Sequence, residues 1–106
     1  MINYFIMPGI KNTKAIQAEV LFQEIEKFTG ITKEELQSKT RLREVVDARI
    51  MYAYIMKSKT LLTLMKIGQQ INRDHSAVIH YLKQFKSLQK TDKNFNMTYL
   101  KILNNL

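Results

Sequence analysis

The fold of this chain is decided by residues 63–90, which read TLMKIGQQINRDHSAVIHYLKQFKSLQK. Apolar residues in the first part keep the spacing of one helix face: Leu64, Ile67 and Ile71. A turn at Asn72 and Arg73 follows, and a longer helical pattern begins near Asp74. A short helix, a tight turn and a second helix with an apolar stripe are typical of a helix-turn-helix. The sequence therefore predicts this motif over residues 63–90.

The second helix of the motif has two chemically different sides. At about 100° per residue, its apolar side chains fall together: Val78, Tyr81, Leu82, Phe85 and Leu88. The opposite side carries hydroxyl, imidazole and ammonium groups: Ser76, His80, Lys83, Lys86, Ser87 and Lys90. No carboxylate lies between His75 and Lys90, and the free amides of a helix's first turn favour phosphate. The pattern predicts an outer face that binds an anion, although a solvated lysine-rich face is the plainer interpretation.

The net charge of +8 is concentrated in the middle of the chain. Residues 39–90 hold 11 Lys and Arg against 3 Asp and Glu, whereas residues 1–38 hold 4 against 5. A contiguous basic segment favours a polyanionic partner, and nucleic acid is the most common one. A basic face that serves only solubility is the alternative.

Two further helices are predicted before residue 39, where the basic segment begins. The first begins near Thr13, which can cap it, and ends at Gly30, which suits a left-handed stop. Thr32 and Glu35 have the spacing of a capping box, in which each side chain satisfies a free amide. The short helix that they open is predicted to end near Ser38.

The third helix, at about residues 42–58, is apolar on nearly all sides, which is typical of a helix at the centre of a bundle. Basic residues mark the places where it is expected to reach water: Arg41, Arg43, Arg49 and Lys57. Thr60 or Thr63 can cap the fourth helix, and a last helix is predicted at about 93–105. The fold expected is an all-α, compact bundle of about six helices.

Residues 38–49 (SKTRLREVVDAR), Ile67-Gly68 and residues 73–80 (RDHSAVIH) resemble the C-terminal duplex-DNA-binding domain of the bacterial replication initiator DnaA. The likeness covers about residues 17–103, and RDHSAVIH is its most specific part. It implies an all-helical domain that reads the DnaA box in double-stranded DNA. Its recognition helix would begin at the Asp-His-Ser segment and enter the major groove, while an arginine of the basic connection enters the neighbouring minor groove.

The resemblance also implies which residues contact DNA. Arg41 matches the minor-groove arginine and has Arg43 beside it, while Arg49 and Lys57 match basic positions of the long helix. The family signature that contacts bases and backbone is matched by Arg73, Asp74, His75 and Ser76. From its place on the polar side of the helix, Lys83 is predicted to follow the phosphate backbone.

Asp74 has two interpretations, and some positions depart from the family pattern. An acidic residue there either caps the helix or accepts a hydrogen bond from cytosine. Ala77 stands where the family often has a second hydroxyl, and Thr40 and Asp47 stand at positions that are often basic. The turn carries Asn72 in place of a frequent glycine pair and is one residue shorter. These departures bear on target sequence and affinity rather than on the fold.

The composition argues against catalysis, cofactors and metal binding. There is no cysteine, there are only two histidines, and no glycine-rich nucleotide motif occurs, so we expect no nucleotide and no ATPase module in these residues. Adjacent residues on a helix cannot align as a catalytic triad, which excludes Asp74-His75-Ser76. With no apolar run of membrane-spanning length and no evident secretion signal, we expect a cytoplasmic, nucleoid-associated protein that does not bind membranes.

Residues 1–12 are predicted to form an N-terminal arm ahead of a domain at residues 13–106. Its apolar residues precede a turn at Pro8-Gly9. The arm either folds onto the domain, contacts a second copy or another protein, or is a partly ordered terminus. The apolar stretch Tyr4–Met7 also supports an alternative function, in which the chain binds an initiator or another acidic partner and does not read DNA sequence.

Overall fold

The computed structural model of the chain describes residues 16–106, which contain six helices and no strand. The helices are α1 (Ala18–Thr29), α2 (Lys33–Gln37), α3 (Arg43–Lys59), α4 (Leu64–Gln70), α5 (His75–Thr91) and α6 (Lys93–Asn104). The prediction of an all-α bundle of about six helices that includes a helix-turn-helix, here α4 and α5, is confirmed. The arm and Thr13 lie outside the described residues, and α1 begins at Ala18, later than its predicted start.

Most helix ends follow the signals in the sequence. Gly30 ends α1 in the left-handed conformation, at φ 78°. Thr32 and Glu35 form the predicted capping box at the start of α2. Of the two candidates for the start of α4, Thr63 is the cap, because its hydroxyl accepts a hydrogen bond from a backbone amide at 3.2 Å. Thr60 instead donates to a carbonyl of α3 at 2.6 Å and closes that helix.

Helix α3 is the central element, and it contacts each of the other five helices. Nine of its 17 residues are buried, and eight of them are the apolar or aromatic residues that the sequence pattern places in the core. The ring of Tyr54 stacks on Phe85 of α5 with a centroid distance of 3.7 Å, and Tyr99 of α6 meets both rings edge-on. These aromatic contacts hold α5 and α6 against the centre of the bundle.

The turn between α4 and α5 requires two unusual residues. Asn72 has a φ of 57°, a left-handed conformation that asparagine tolerates better than most residues. The Arg73 amide donates to the Gly68 carbonyl at 2.8 Å, and a Cβ at Gly68 would collide with the Arg73 carbonyl oxygen. The close approach therefore needs glycine at position 68, and it fixes where α5 begins.

Candidate nucleic-acid interface

The two sides of α5 lie as their chemistry predicts. Val78 and Phe85 are completely buried, and Tyr81 is nearly so. All the polar residues predicted for the outer face are exposed, together with the first helical residue: His75, Ser76, His80, Lys83, Lys86, Ser87 and Lys90. The helix therefore presents short polar groups at its N-terminal end and ammonium groups farther along.

Asp74 is the N-cap of α5. Its carboxylate accepts a hydrogen bond from the Ala77 amide at 2.9 Å, which satisfies one of the free amides of the first turn. The capping interpretation of this acidic residue is thus confirmed. Its contact with cytosine stays a prediction.

The basic loop, residues 38–42 between α2 and α3, lies beside α5. The two elements enclose an open cavity of about 420 Å³. Its lining includes Lys39 and Arg41 from the basic loop, Arg73 from the turn, and Ala77, His80 and Tyr81 from α5. We call this space the loop–helix cavity. Because Arg41 is exposed at its rim, the expected minor-groove residue and the start of α5 lie on the same side of the molecule.

The prediction that Arg49 reaches water is wrong, because only 1% of its surface is exposed. Its guanidinium donates to the carbonyl oxygens of Leu36, Ser38 and Thr40 at 2.7–2.8 Å, and to a fourth carbonyl in α2 at 3.2 Å. Desolvation, followed by the charge of nearby Arg73, lowers the pKa of Arg49. Burial of this arginine is possible because main-chain carbonyls of the basic loop and of α2 accept its hydrogen bonds. Arg49 therefore stabilises the basic loop from inside the domain.

Arg73 also faces inward. One terminal nitrogen donates to the Ser38 carbonyl at 2.7 Å and the other to the Asn72 carbonyl at 2.9 Å. The side chain is half-buried and lines the loop–helix cavity. This residue therefore connects the turn of the helix-turn-helix to the basic loop.

The remaining predicted site residues are exposed but separate from the loop–helix cavity. Arg43 donates to the carboxylate of Asp47 at 3.2 Å across one turn of α3. Lys57 is exposed in the last turn of α3. Lys83 lies beside a shallow groove of about 190 Å³ on α5. The structure brings Arg41 and Arg73 together with Ala77, His80 and Tyr81 of α5 around one cavity. The lining of that cavity includes none of the other predicted site residues that are exposed: Arg43, Lys57, Asp74, His75, Ser76 and Lys83.

Sequence reasoning missed two features of this surface. Ile79 is 39% exposed on α5 and borders the shallow groove. Its spacing of three residues from Ser76 and four from Lys83 could have placed it on the outer face. The Ser38 carbonyl, which binds two guanidinium groups, has no signal in the sequence because every residue has a carbonyl.

Within residues 16–106, no three His, Cys, Asp or Glu side chains lie close enough to share a metal ion. In the same part of the chain, no helix has both the length and the apolar character to cross a bilayer.

Residues 18–84 match the family described as the bacterial DnaA protein helix-turn-helix. Chromosomal replication initiator protein DnaA from Flavobacterium psychrophilum is 40% identical over 90 residues, which cover 80% of this chain and 19% of that protein. The protein of the same name from Bacteroides thetaiotaomicron is 34% identical over 84 residues, which cover 78% of this chain and 18% of the relative. The chain thus spans about a fifth of the length of these relatives. With more than half of its residues in the match, the chain belongs to the family of the bacterial DnaA helix-turn-helix.

Proposed function

We propose that this chain binds double-stranded DNA sequence-specifically at sites of the DnaA-box type, and that it acts in the initiation of replication or in its regulation. The observation that carries the proposal is the position of Arg41, which is exposed and lines the loop–helix cavity together with Ala77 from the first turn of α5. Family membership gives this arrangement its DNA-binding interpretation.

The proposed mechanism divides the surface by groove. The first turn of α5 enters the major groove, where His75 and Ser76 hydrogen-bond to base edges. One carboxylate oxygen of Asp74 accepts the capping hydrogen bond. The carboxylate either also accepts a hydrogen bond from cytosine or serves only as the cap. Arg41 enters the adjacent minor groove. Because the two elements flank one cavity, a single strand of the duplex backbone passes over the opening between them.

Exposed cations outside the cavity supply attraction that does not depend on sequence. Lys83 and Lys57 are exposed and bind phosphate oxygens. Arg43 adds to this attraction while it also pairs with Asp47. Arg49, which is buried, takes part only through the carbonyls that it binds. A chromosomal target places the action of the protein at the nucleoid, in the cytoplasm.

A selection of bound duplexes from a random oligonucleotide pool tests the proposal. We expect enrichment of a short motif related to the DnaA box. Affinity for the enriched duplex should then be measured against salt concentration. If about five phosphates are neutralised, log affinity falls with log salt at a slope near −4 to −5. A slope near zero, or a pool with no enriched motif, contradicts the proposal.

The second function suggested by the sequence is binding of an initiator or another acidic partner without sequence reading. Its support, Tyr4–Met7, lies outside the described residues. Deletion of residues 1–12 separates the two functions. If the chain reads DNA sequence, the shortened chain keeps its preference for the enriched duplex. If the chain instead docks on a partner through the arm and does not read sequence, the deletion abolishes self-association or partner capture, and neither protein prefers the enriched duplex to random DNA.

A further inference from the structure

One carbonyl oxygen joins three parts of the interface. The Ser38 carbonyl accepts hydrogen bonds from a terminal nitrogen of Arg49 and from one of Arg73, each at 2.7 Å. Ser38 begins the basic loop, three residues before Arg41. Arg49 comes from the central helix α3, and Arg73 immediately precedes the N-cap of α5. The position of the loop is therefore tied both to the core and to the start of α5.

The electrostatics show that this junction is built from dipoles rather than ion pairs. Neither Arg49 nor Arg73 forms a salt bridge to a carboxylate within residues 16–106. Each guanidinium instead donates hydrogen bonds to main-chain carbonyls. The two guanidinium groups are near enough for the charge of Arg73, after desolvation, to lower the pKa of Arg49. Partly buried like charges repel, so such a contact persists only where the carbonyl geometry favours it. The loop and the turn therefore depend on each other for their positions.

We propose that Arg73 is a positioning residue that fixes the distance between Arg41 and the first turn of α5, so that both grooves of the duplex are read in register. The inference rests on the proposed function. It assigns Arg73 an indirect role, because each of its two terminal nitrogens already donates a hydrogen bond to a main-chain carbonyl, that of Ser38 or that of Asn72. A direct phosphate contact is the competing role for this residue.

Replacement by lysine separates the two roles, since lysine keeps the charge but lacks the planar fork by which arginine reaches the two carbonyls from separate nitrogens. If Arg73 contacts a phosphate directly, the affinity of Arg73→Lys for the enriched duplex should be within about threefold of that of the wild type. For a positioning residue, Arg73→Lys loses about tenfold or more, close to the loss in Arg73→Ala. Lys101→Ala, which removes an exposed cation on α6, is the matched control and should change affinity less than about threefold.

A double-mutant cycle on the full 106-residue chain gives the decisive measurement. In the wild type, we expect Arg41→Ala to reduce affinity for the enriched duplex about tenfold, the scale of one base contact. In the Arg73→Lys background the same change should cost less than about threefold, because Arg41 is already out of register. Equal costs in both backgrounds, in a wild type that prefers the enriched duplex, overturn the positioning role only. A wild type with no preference overturns the proposed function itself.

Thermal unfolding followed by circular dichroism shows whether Arg73→Lys is folded. A measurement on the wild type needs no variant: the guanidinium proton signals of Arg73 in NMR. A positioning residue keeps these signals slowly exchanging and unshifted when the enriched duplex is added. Large shifts on DNA addition overturn the proposal, since they identify Arg73 as a DNA contact.

Discussion

The basic loop and the first turn of α5 border the same cavity but are held in place by different means. The first turn of α5 has a helical backbone, the Asp74 cap and a completely buried side chain, Val78. The basic loop has no such framework, and the guanidinium groups of Arg49 and Arg73 hold its carbonyls. The comparison teaches that arginine occupies this surface in two ways: Arg41 is exposed, as the proposed ligand for DNA, and Arg49 is an internal support.

The largest expected effect breaks the support of the loop. Arg49→Met keeps the unbranched apolar stem but removes every donor, which leaves the carbonyls of Leu36 and Thr40 without that partner. We expect a loss of about 3–5 kcal/mol in the free energy of unfolding, measured by urea denaturation. Arg43→Met removes an exposed arginine of the same helix and should cost less than about 1 kcal/mol. Similar losses in the two variants would contradict the division between support and ligand.

The sequence could predict the periodic part of this molecule better than the loop. The apolar stripes and caps located the helices, since their signals repeat along the chain, as Thr32, Thr63 and Gly30 illustrate. The sequence does not predict the burial of Arg49, because its partners are backbone carbonyls of a non-repeating segment. Every residue has a carbonyl, so side-chain identity does not indicate the direction in which it points. Arg41 and Arg49 contribute equally to the charge of the basic segment. Only the tertiary structure shows that Arg41 is exposed and Arg49 is buried.

The second effect concerns base reading by α5. Ser76→Ala or His75→Ala should reduce binding to the enriched duplex by about 1–3 kcal/mol, with little change on random DNA, since base contacts carry sequence information. Lys83→Ala is the matched variant on the same exposed face. Its loss should be nearly equal on both duplexes, and the salt slope should fall by about one. Equal losses of Ser76→Ala on both duplexes would show that the first turn contacts only the backbone.

A smaller effect separates the two roles of Asp74. Asp74→Ala should lower the free energy of unfolding by about 1 kcal/mol, because the Ala77 amide loses its acceptor. Asp74→Ser keeps a capping oxygen and should retain most of the stability. If Asp74 also accepts a hydrogen bond from cytosine, the serine variant loses preference at one base pair in a repeated selection while its unfolding curve is nearly that of the wild type. An unchanged motif restricts Asp74 to the cap.

The smallest effect concerns Arg43, the exposed arginine that has a protein partner. Desolvation by burial raises the pKa of the Asp47 carboxyl, and the hydrogen bond and charge of Arg43 only partly oppose it. A carboxyl with a higher pKa in the folded state binds its proton more tightly there, so its ionisation disfavours folding as the pH rises through that pKa. Asp47→Asn should therefore be at least as stable as the wild type at pH 7, and its advantage should shrink as the pH falls into the range where Asp47 takes up its proton.

The same variant frees Arg43 from a carboxylate and removes one negative charge, which raises the net positive charge of the chain by one. We expect DNA affinity at low salt to rise by about two- to fivefold, with a steeper salt dependence. Thermal unfolding between pH 4 and 7 and DNA titration at two salt concentrations check the two parts. An Asp47→Asn protein that is less stable at pH 7 would mean that the ion pair outweighs the burial of its carboxylate. Arg43 would then belong with Arg49, as a residue that stabilises the fold, rather than with Arg41, the proposed ligand for DNA.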